Sequence, residues 1–573
     1  MQKGIPQIMD VTSIKSILHY LSREILPSRF ETAQQPEPNT IQIGLRGINN
    51  TSWIEVSWQG DCARIIKINR PDKLGSQSTL AKQLSYGLKY MALVSIEQDK
   101  FERVIKFAFA KKPGDLIDKY LIFELMGKHS NIFYLDKNLK IIAAGKQVKS
   151  TQSSYRTIST GNMYKQPPVN NKKEPNENET FQDWKSLLSV VPDTLKNALL
   201  RNYQGVSPIL IKQIEHLSNL ESNNVMNQSV DLIEDKYLKE IFIIWNKWID
   251  RYKNNKFKFS IFNNYFYSVW FSETEVKDNN IDLCVGLSNY YNQHLNLKKI
   301  NGIVSQIDGL IFKQISIESR NHNLQRKLLE NSENFESLKN KADNIFLKLN
   351  LEKKDILEAE KLYKKSKKLK RAINLIKERL DIYENKLNRL EEYRFMLDNI
   401  KFNSIGNISN KLDLLEELKY ELSNEFNLRK KRLNPSKSNF VKTQSSPIQI
   451  ISPGGLNILI GRNMRQNDLI TFKLSKKQDL WFHAQESPGS HILLKSSSKM
   501  PNDEDIQIAA DLAAFFCRAK GNIKVPINQV KVKDLQKISK AGLGCVSFKN
   551  SEIIWGNPTR GKEYIKKNTE LLI

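Results

Sequence analysis

The sequence predicts a multidomain α+β protein with four parts: an N-terminal α+β domain, a helical helix-turn-helix domain, a long antiparallel coiled-coil hairpin and a C-terminal α+β domain. Three observations carry this expectation. At 573 residues the chain exceeds what one hydrophobic core serves. Two polar, proline-broken stretches, 166–180 and 433–447, divide it. Between them, apolar residues keep a heptad rhythm through much of 294–430.

Taken in order, residues 9–26 predict an amphipathic helix with Ile14, Ile17, Leu18 and Leu21 on one stripe, capped by Asp10 or Thr12. TIQIGLRG, SWIEVSWQG and CARIIKINR alternate with the period of strands, and a helix follows around 79–91. FERVIKFAFAKK and KYLIFELMGKHSNIFYLD complete a sheet, closing a domain over 1–165. Residues 256–272 are strand-rich again. Because a lone hairpin is marginally stable, 256–290 is expected to complete the first domain's sheet.

Residues 181–250 read as helical. Gly205 and Pro208 lie between two helical patterns, a helix-turn-helix shape whose backbone N–H groups can face a phosphate. Over 291–432, Leu369, Ile373, Ile376, Leu380, Tyr383, Leu387, Leu390 and Leu397 set one heptad arm. Leu324, Leu328, Phe335, Leu338, Ala342, Ile345 and Leu349 set another, with a break near 348–355. Two such arms make an antiparallel hairpin.

The C-terminal domain, 448–573, is organised around 461–494. Ile470, Phe472 and Leu474 alternate with polar neighbours, which predicts a strand, and 475–478 is a polar turn. Asp479, Trp481 and His483 then share one face of a second strand, with Arg462, Arg465 and Lys473 expected nearby. Pro488-Gly489 turns the chain into a third strand, and DEDIQIAADLAAFFCRAKG supplies a helix. An indole stacks on bases, an arginine holds phosphate and a carboxylate accepts from a base or ribose. The plainer reading packs Trp481 on a helix and leaves His483 half-buried.

Lys and Arg number 89 against 62 Asp and Glu, a formal net charge of +27 that points to a polyanionic partner. Within the coil, Lys361, Lys364, Lys365, Lys367, Lys368, Lys370 and Arg371 form a basic run suited to RNA phosphates, or else to a solvated helix face. Cys62, Cys284, Cys517 and Cys545 lack the spacing of a zinc site, so no metal, cofactor or disulfide framework is expected. No 18-residue apolar run and no signal-peptide pattern occur, which leads to the expectation of a cytoplasmic protein with no membrane partner.

The catalytic motifs do not hold up. GNPTRGKE (556–563) nearly matches a phosphate-binding loop but has Glu563 where a hydroxyl should hold Mg²⁺. HExxH and GxSxG are absent. Ser490 and His491 are strand neighbours facing opposite ways, a poor nucleophile–base pair. No catalytic residue is assigned. Glu102-Arg103, before the strand VIKFAF, reads by itself as a surface ion pair.

GRNMRQND…DLWFHAQESPGSH resembles the signature of the NFACT-R domain. Further pieces of the same family follow in order: Met9-Asp10, Leu45-Arg46-Gly47, CARI (62–65), FERVIKF, ELMGKHSN (124–131), GVSP (205–208) and EKLYKKSKKLKRA (360–372). Together they cover nearly the whole chain, which resembles the NFACT family of ribosome quality-control factors, the group of RqcH and NEMF. The resemblance implies a first domain similar to formamidopyrimidine-DNA glycosylase. No N-terminal Pro-Glu is present, so glycosylase chemistry is not carried over.

It further implies a monomer that binds the large ribosomal subunit holding peptidyl-tRNA. Such a factor recruits tRNA, in bacteria tRNA-Ala, for template-free C-terminal tailing. The ribosome makes the bonds, so the chain is expected not to be an enzyme. Asp10, Glu102 and Arg103 would contact tRNA. Asp479, Trp481 and His483, with Arg462 and Arg465, would touch RNA or build the fold. The family's usual Asp-Arg pair is Glu102-Arg103 here, and the coil lacks the small insertion the family usually holds between its arms. Two rivals are a DNA-repair-type nucleic-acid enzyme, which needs a nucleophile near the N-terminus, and a fibronectin-binding surface adhesin, which needs export.

Overall fold

A computed structural model describes the chain apart from residues 1–5, 49, 72–77, 154, 169–170, 221–223, 264, 273–280, 348–351, 403–407, 427–444, 539–541 and 571–573. It contains two compact units, Met1–Leu295 and Asn296–Ile573.

In the first unit, α1 (Val11–Ile25) starts where the Asp10 carboxylate accepts from Ser13 N, and it buries Ile14, Ile17, Leu18 and Leu21. Next come β1 (Ser28–Glu37), β2 (Thr40–Arg46), β3 (Thr51–Ser57), β4 (Arg64–Ile68), α2 (Thr79–Gly87) and β5 (Ala92–Gln98). The sheet continues with β6 (Val104–Ala110), β7 (Ile117–Glu124), β8 (Asn131–Asp136) and β9 (Ile141–Ala144). The nine strands run in the order β4-β3-β2-β1-β5-β6-β7-β8-β9, antiparallel throughout. α1 and α2 share one core with this sheet. β1 and β5 escape the alternation reading. β1 is mostly polar, and β5 buries just Ala92 and Leu93, so neither shows the apolar period that marks a half-buried strand.

The helical layer has α3 (Phe181–Ser189), α4 (Leu195–Asn202), α5 (Pro208–Leu217) and α6 (Asp235–Lys253) around Trp184, Tyr203, Trp245 and Trp248. The end of the polar stretch 166–180 is tied to this layer. Lys173 bridges Tyr203 as a strand residue would, and the buried Glu179 carboxylate accepts from Tyr203 Oη at 2.8 Å. The hairpin β10 (Ser260–Phe262) and β11 (Phe266–Ser268) corrects an expectation. It pairs with itself and stays a separate two-stranded sheet. Its side chains divide between two cores: Tyr267, with Phe259 and Val269 beside it, packs in that of the nine-stranded sheet, and Phe262 and Phe266 pack in that of the helical layer. Tyr267 N also donates to Gln7 Oε1 at 3.2 Å.

The long helix α7 (Leu283–Glu333) gives Leu287 and Tyr291 to that core. In the second unit its later residues run antiparallel to α9 (Lys353–Phe402), with Glu318 and Lys386 3.5 Å apart. Further out, α8 (Phe335–Phe346) packs on α9, where Ser366 Oγ donates to Phe335 O at 2.7 Å. At the base, Ile307 and Ile311 of α7, Leu390, Tyr393 and Leu397 of α9, and Leu414 and Leu418 of α10 (Ile408–Glu425) form one core. Residues 433–444 of the second polar stretch and 348–351 of the coil break lie outside the described residues.

The C-terminal part runs β12 (Ile448–Ile451), β13 (Asn457–Ile460), α11 (Met464–Phe472), β14 (Leu480–Ala484), β15 (Ile492–Leu494) and α12 (Asp503–Phe515). It ends with β16 (Val525–Lys531), β17 (Leu535–Lys537), β18 (Val546–Phe548), β19 (Glu552–Gly556) and α13 (Pro558–Glu570). Six strands order as β12-β13-β15-β14-β16-β19, with α12 on one face and the small β17–β18 pair beside the other.

The expected strand through Ile470 and Phe472 is instead the helix α11. Asn463 caps it by accepting from Gln466 N, and Met464, Asn467, Ile470 and Thr471 are all buried. A short segment buried on several sides fits alternation and helical spacing equally, and the Asn cap is the signal that separates them. The near-match GNPTRGKE lies across the start of α13. A Cβ at Gly556 would sit 2.4 Å from Ala510 O, and one at Gly561 2.3 Å from Asp511 O. Those glycines let α13 and its approach lie against α12.

Candidate nucleic-acid interface

Residues 99–103 join β5 to β6 in a tight turn, with Glu102 N donating to Asp99 O at 2.7 Å. The turn is clamped from α6: Phe101 stacks on Tyr252 at 4.7 Å, and Tyr252 Oη donates to Lys100 O at 3.0 Å. Gly205 closes on the other side. Its φ is +71°, and a Cβ there would meet Phe101 at 3.1 Å, so both backbone and space call for glycine. Two residues later Ser207 caps α5, accepting from Leu210 N, with Pro208 in the first turn. Ser207 Oγ also points at Asp10 Oδ2, 3.4 Å away.

Two helix N-termini, those of α1 and α5, therefore meet beside Arg103. Asp10, Arg103, Ser207 and Pro208 line two neighbouring cavities of about 250 and 170 Å³. Lys212 adds to the larger; Glu102 and Lys172 add to the smaller. Burial raises the carboxyl pKa of Asp10, opposed by Ser13, Ser207 and Arg103. Burial raises that of Glu102 as well, opposed by Arg103. Burial also lowers the Arg103 pKa, which Asp10 and Glu102 push back up.

The fold thus brings the three residues singled out for tRNA into one cleft. Glu102 and Arg103 are half-buried, unlike the surface pair that sequence suggests. Lys172 and Lys212 escaped the sequence reading because neither sits in a motif. Their places follow from the chain's return past the turn.

The C-terminal set is divided. Trp481 and His483 lie side by side with parallel rings, centroids 5.6 Å apart, and His491 stands edge-on to both. Trp481 is fully buried and His483 half-buried. They line a cavity of about 830 Å³ that also reaches Asn467, Asn528 and Phe548. Asp479 is not with them. Its carboxylate accepts from Lys476 N, Ser497 N and Ser497 Oγ and pairs with Lys495 at 3.0 Å, which keeps it ionised below the usual carboxylate range despite burial.

Arg462 and Arg465 do not join this group. Arg462 donates to Ser446 O at 2.9 Å and is influenced by Glu417, whereas Arg465 lies by Glu421 of α10. Arg465 lies in the first turn of α11, which carries it to α10, and Arg462 precedes the Asn463 cap.

All seven cations of the basic run, Lys361, Lys364, Lys365, Lys367, Lys368, Lys370 and Arg371, are exposed on α9, while Ser366 between them is buried against α8. Among the described residues, no group of three or more His, Cys, Asp or Glu side chains is placed to hold a metal, and no helix is long and apolar enough to cross a membrane.

The fold and the C-terminal domain place the protein in a class of multidomain α+β RNA-binding proteins. The chain belongs to the NFACT family: the family model for the NFACT N-terminal and middle domains matches residues 10–355, and that for the NFACT protein RNA binding domain matches 448–550. It is similar to the Rqc2 homolog RqcH of Bacillus subtilis, 23% identical over 94% of this chain and 96% of that one. It is also similar to the Rqc2 homolog RqcH of Streptococcus suis, at 25% identity over 95% and 98%. Among solved structures it resembles the C-terminal part of the fibronectin/fibrinogen-binding protein of Streptococcus suis. That likeness has a TM-score of 0.39 and 25% identity, and it covers 47% of this chain and 99% of the other.

Proposed function

We propose that this protein is a ribosome-associated quality-control factor of the cytoplasm. In this reading it binds, as a monomer, large ribosomal subunits that hold peptidyl-tRNA. It recruits tRNA, in bacteria tRNA-Ala, for template-free C-terminal tailing of the nascent chain. The ribosome forms the bonds, and this chain binds and orients. We read 181–250 as a helix-turn-helix domain turning at Gly205–Pro208 and the first unit as similar to formamidopyrimidine-DNA glycosylase.

The observation that carries the reading is the meeting of Asp10, Glu102 and Arg103 at the N-termini of α1 and α5. Helix N-termini and a planar guanidinium favour phosphate or a base edge, while the carboxylates exclude anions that lack donors. A nucleotide that offers phosphate and base donors together matches that mixed set. The exposed basic run on α9 suits ribosomal RNA.

The test is Glu102→Ala with Arg103→Ala in the full chain. The expected result is intact cosedimentation with large subunits and loss of both copurifying tRNA and C-terminal tails. Because Arg103 is half-buried beside Asp10, Arg103→Gln serves as the milder variant, with the thermal midpoint as the control for folding. Retained tRNA and tails in both variants would reject the site. Glu102→Asp restores the family's usual pair and should keep tRNA unless the cleft depends on the longer side chain.

A further inference from the structure

Strand register puts His483 of β14 opposite Asn528 of β16, and Asn528 opposite Ile553 of β19. Opposed residues of antiparallel strands share a face. These three, with Trp555 two residues beyond Ile553, therefore form a stripe. Ala484, Ile527 and Ile554 take the other face, in the core with α12. The stripe is recessed at one end, where His483 and Asn528 enter the wall of the 830 Å³ cavity with Trp481 and His491. It is open at the other, where Ile553 is 52% and Trp555 58% exposed.

The recess has a particular chemistry. Burial holds the His483 pKa at about 4, and burial beside His483 holds that of His491 well below the usual imidazole range, so both imidazoles are neutral at pH 7. Arg518 at the wall is paired with Glu391, Glu392 is paired with Arg389, and Glu486 also lines the cavity, so the sugar-phosphate must stay outside it. Among the described residues, the buried indole N–H of Trp481 has no hydrogen-bond partner, a cost that protein interiors rarely leave standing. Such a wall offers ring faces and single hydrogen-bonding groups in place of free positive charge. A volume of 830 Å³ lies within the ~300–1,000 Å³ usual for a bound small group. Exposed Lys524 and Lys549 stand just outside the ends of β16 and β18.

We propose that this face of the C-terminal sheet binds single-stranded RNA, with one unstacked base entering the cavity against His483 and a neighbouring base stacking on Trp555. The assignment rests on the reading that the chain works on RNA, to which the match of this domain to an RNA-binding family model contributes. A planar neutral base fits the recess, the exposed indole supplies a second platform, and the sugar-phosphate stays at the rim near the lysines. Duplex RNA is excluded because its bases are stacked and paired.

The experiment uses the full chain and fluorescein-labelled decamers of A and of U, read by anisotropy. A matching duplex is measured beside them, with AMP as competitor. The single strands should bind and the duplex should bind more weakly. Trp555→Ala and His483→Ala should each weaken binding about 5- to 160-fold, the range that one stacked base carries. The slope of log affinity against log salt should not change, since no phosphate contact is removed. Trp555 is exposed, so its variant should keep the thermal midpoint and decide the matter if His483→Ala fails to fold.

Unchanged affinity in Trp555→Ala would overturn the proposal. So would a lower salt slope, or AMP binding as tightly as a decamer, which marks a free-nucleotide site. Glu102→Ala with Arg103→Ala should bind the decamers normally. Loss there would overturn this assignment and leave the tRNA reading standing. Normal decamer binding with tRNA retained would overturn the tRNA reading alone.

Discussion

Ser207 and Asp10, 197 residues apart, cap two different helices and face each other across 3.4 Å, Ser207 Oγ to Asp10 Oδ2. The contact aligns the starts of α1 and α5 beside Arg103. Ser207→Ala removes a cap from α5, which costs about 1 kcal/mol. It also removes one of the groups that offset the burial of Asp10. The variant should unfold at slightly lower denaturant and copurify with less tRNA. Ser207→Thr, which keeps the hydroxyl, should restore both. Stability and tRNA at unaltered levels in the alanine variant would show that the cap is dispensable.

The basic run on α9 predicts a salt-dependent grip. Replacing Lys364, Lys365, Lys367 and Lys368 with Gln should leave the coil helical, because all four are exposed. Each lost phosphate contact should lower the slope of log affinity against log salt by ~0.7–0.9. Sedimentation with large subunits between about 50 and 200 mM salt measures it. An identical slope would assign these lysines to a solvated face.

Whether the coil is the anchor can be tested by excision, but the cut must end short of Lys386. Leu390, Tyr393 and Leu397 belong to the core at the base, and Arg389 is buried there, donating to Leu543 O at 2.5 Å and pairing with Glu425. Removal of residues 321–383 with a short turn spliced in should keep that core and abolish subunit binding. Normal binding by the shortened chain would place the anchor elsewhere.

Glu421 predicts a pH dependence. Its carboxyl is buried close to Glu417, which raises its pKa to about 8 against the pull of Arg465 and Arg389. The folded chain then keeps a proton that the unfolded chain releases above the ordinary carboxylate range. Stability attributable to this site is full below about pH 4.5 and falls as pH rises toward about 8. Glu421→Gln cannot titrate, so its advantage over the unaltered chain should grow across that window in urea unfolding. An advantage independent of pH would mean that Glu421 is ionised in the fold.

Gly561 predicts a packing defect. A Cβ placed there would lie 2.3 Å from Asp511 O, so Gly561→Ala must push α13 off α12. A cost of about 1–3 kcal/mol is expected from such overpacking, read as a lower thermal midpoint. ATP and GTP should shift the midpoint of neither chain. Stabilisation of the unaltered chain by either nucleotide would revive the phosphate-loop reading of GNPTRGKE.

The sequence by itself determined the elements whose chemistry is local. The stripe of α1, the long coil helices and the opposed faces of β14 follow from spacing alone, since the period of each segment sets which side chains share a face. The motifs that resemble the NFACT family pointed to Asp10, Glu102 and Arg103. Tertiary structure decided the rest. β1 and β5 are strands because neighbouring strands take up their backbone groups, although their side chains show little apolar period. α11 is a helix because burial on several sides erased the distinction between the two periods, and an asparagine cap settled it. Asp479 left the Trp481 face because the turn before β14 and the Ser497 segment claimed its oxygens. Arg465 left it because the first turn of α11 carries it to Glu421, and Arg462 because it precedes the Asn463 cap and donates to Ser446 O. Alternation and heptads record which side of a segment avoids water. Which distant residue a charged or polar side chain meets depends on the packing of segments hundreds of residues apart, as with Ser207 and Asp10.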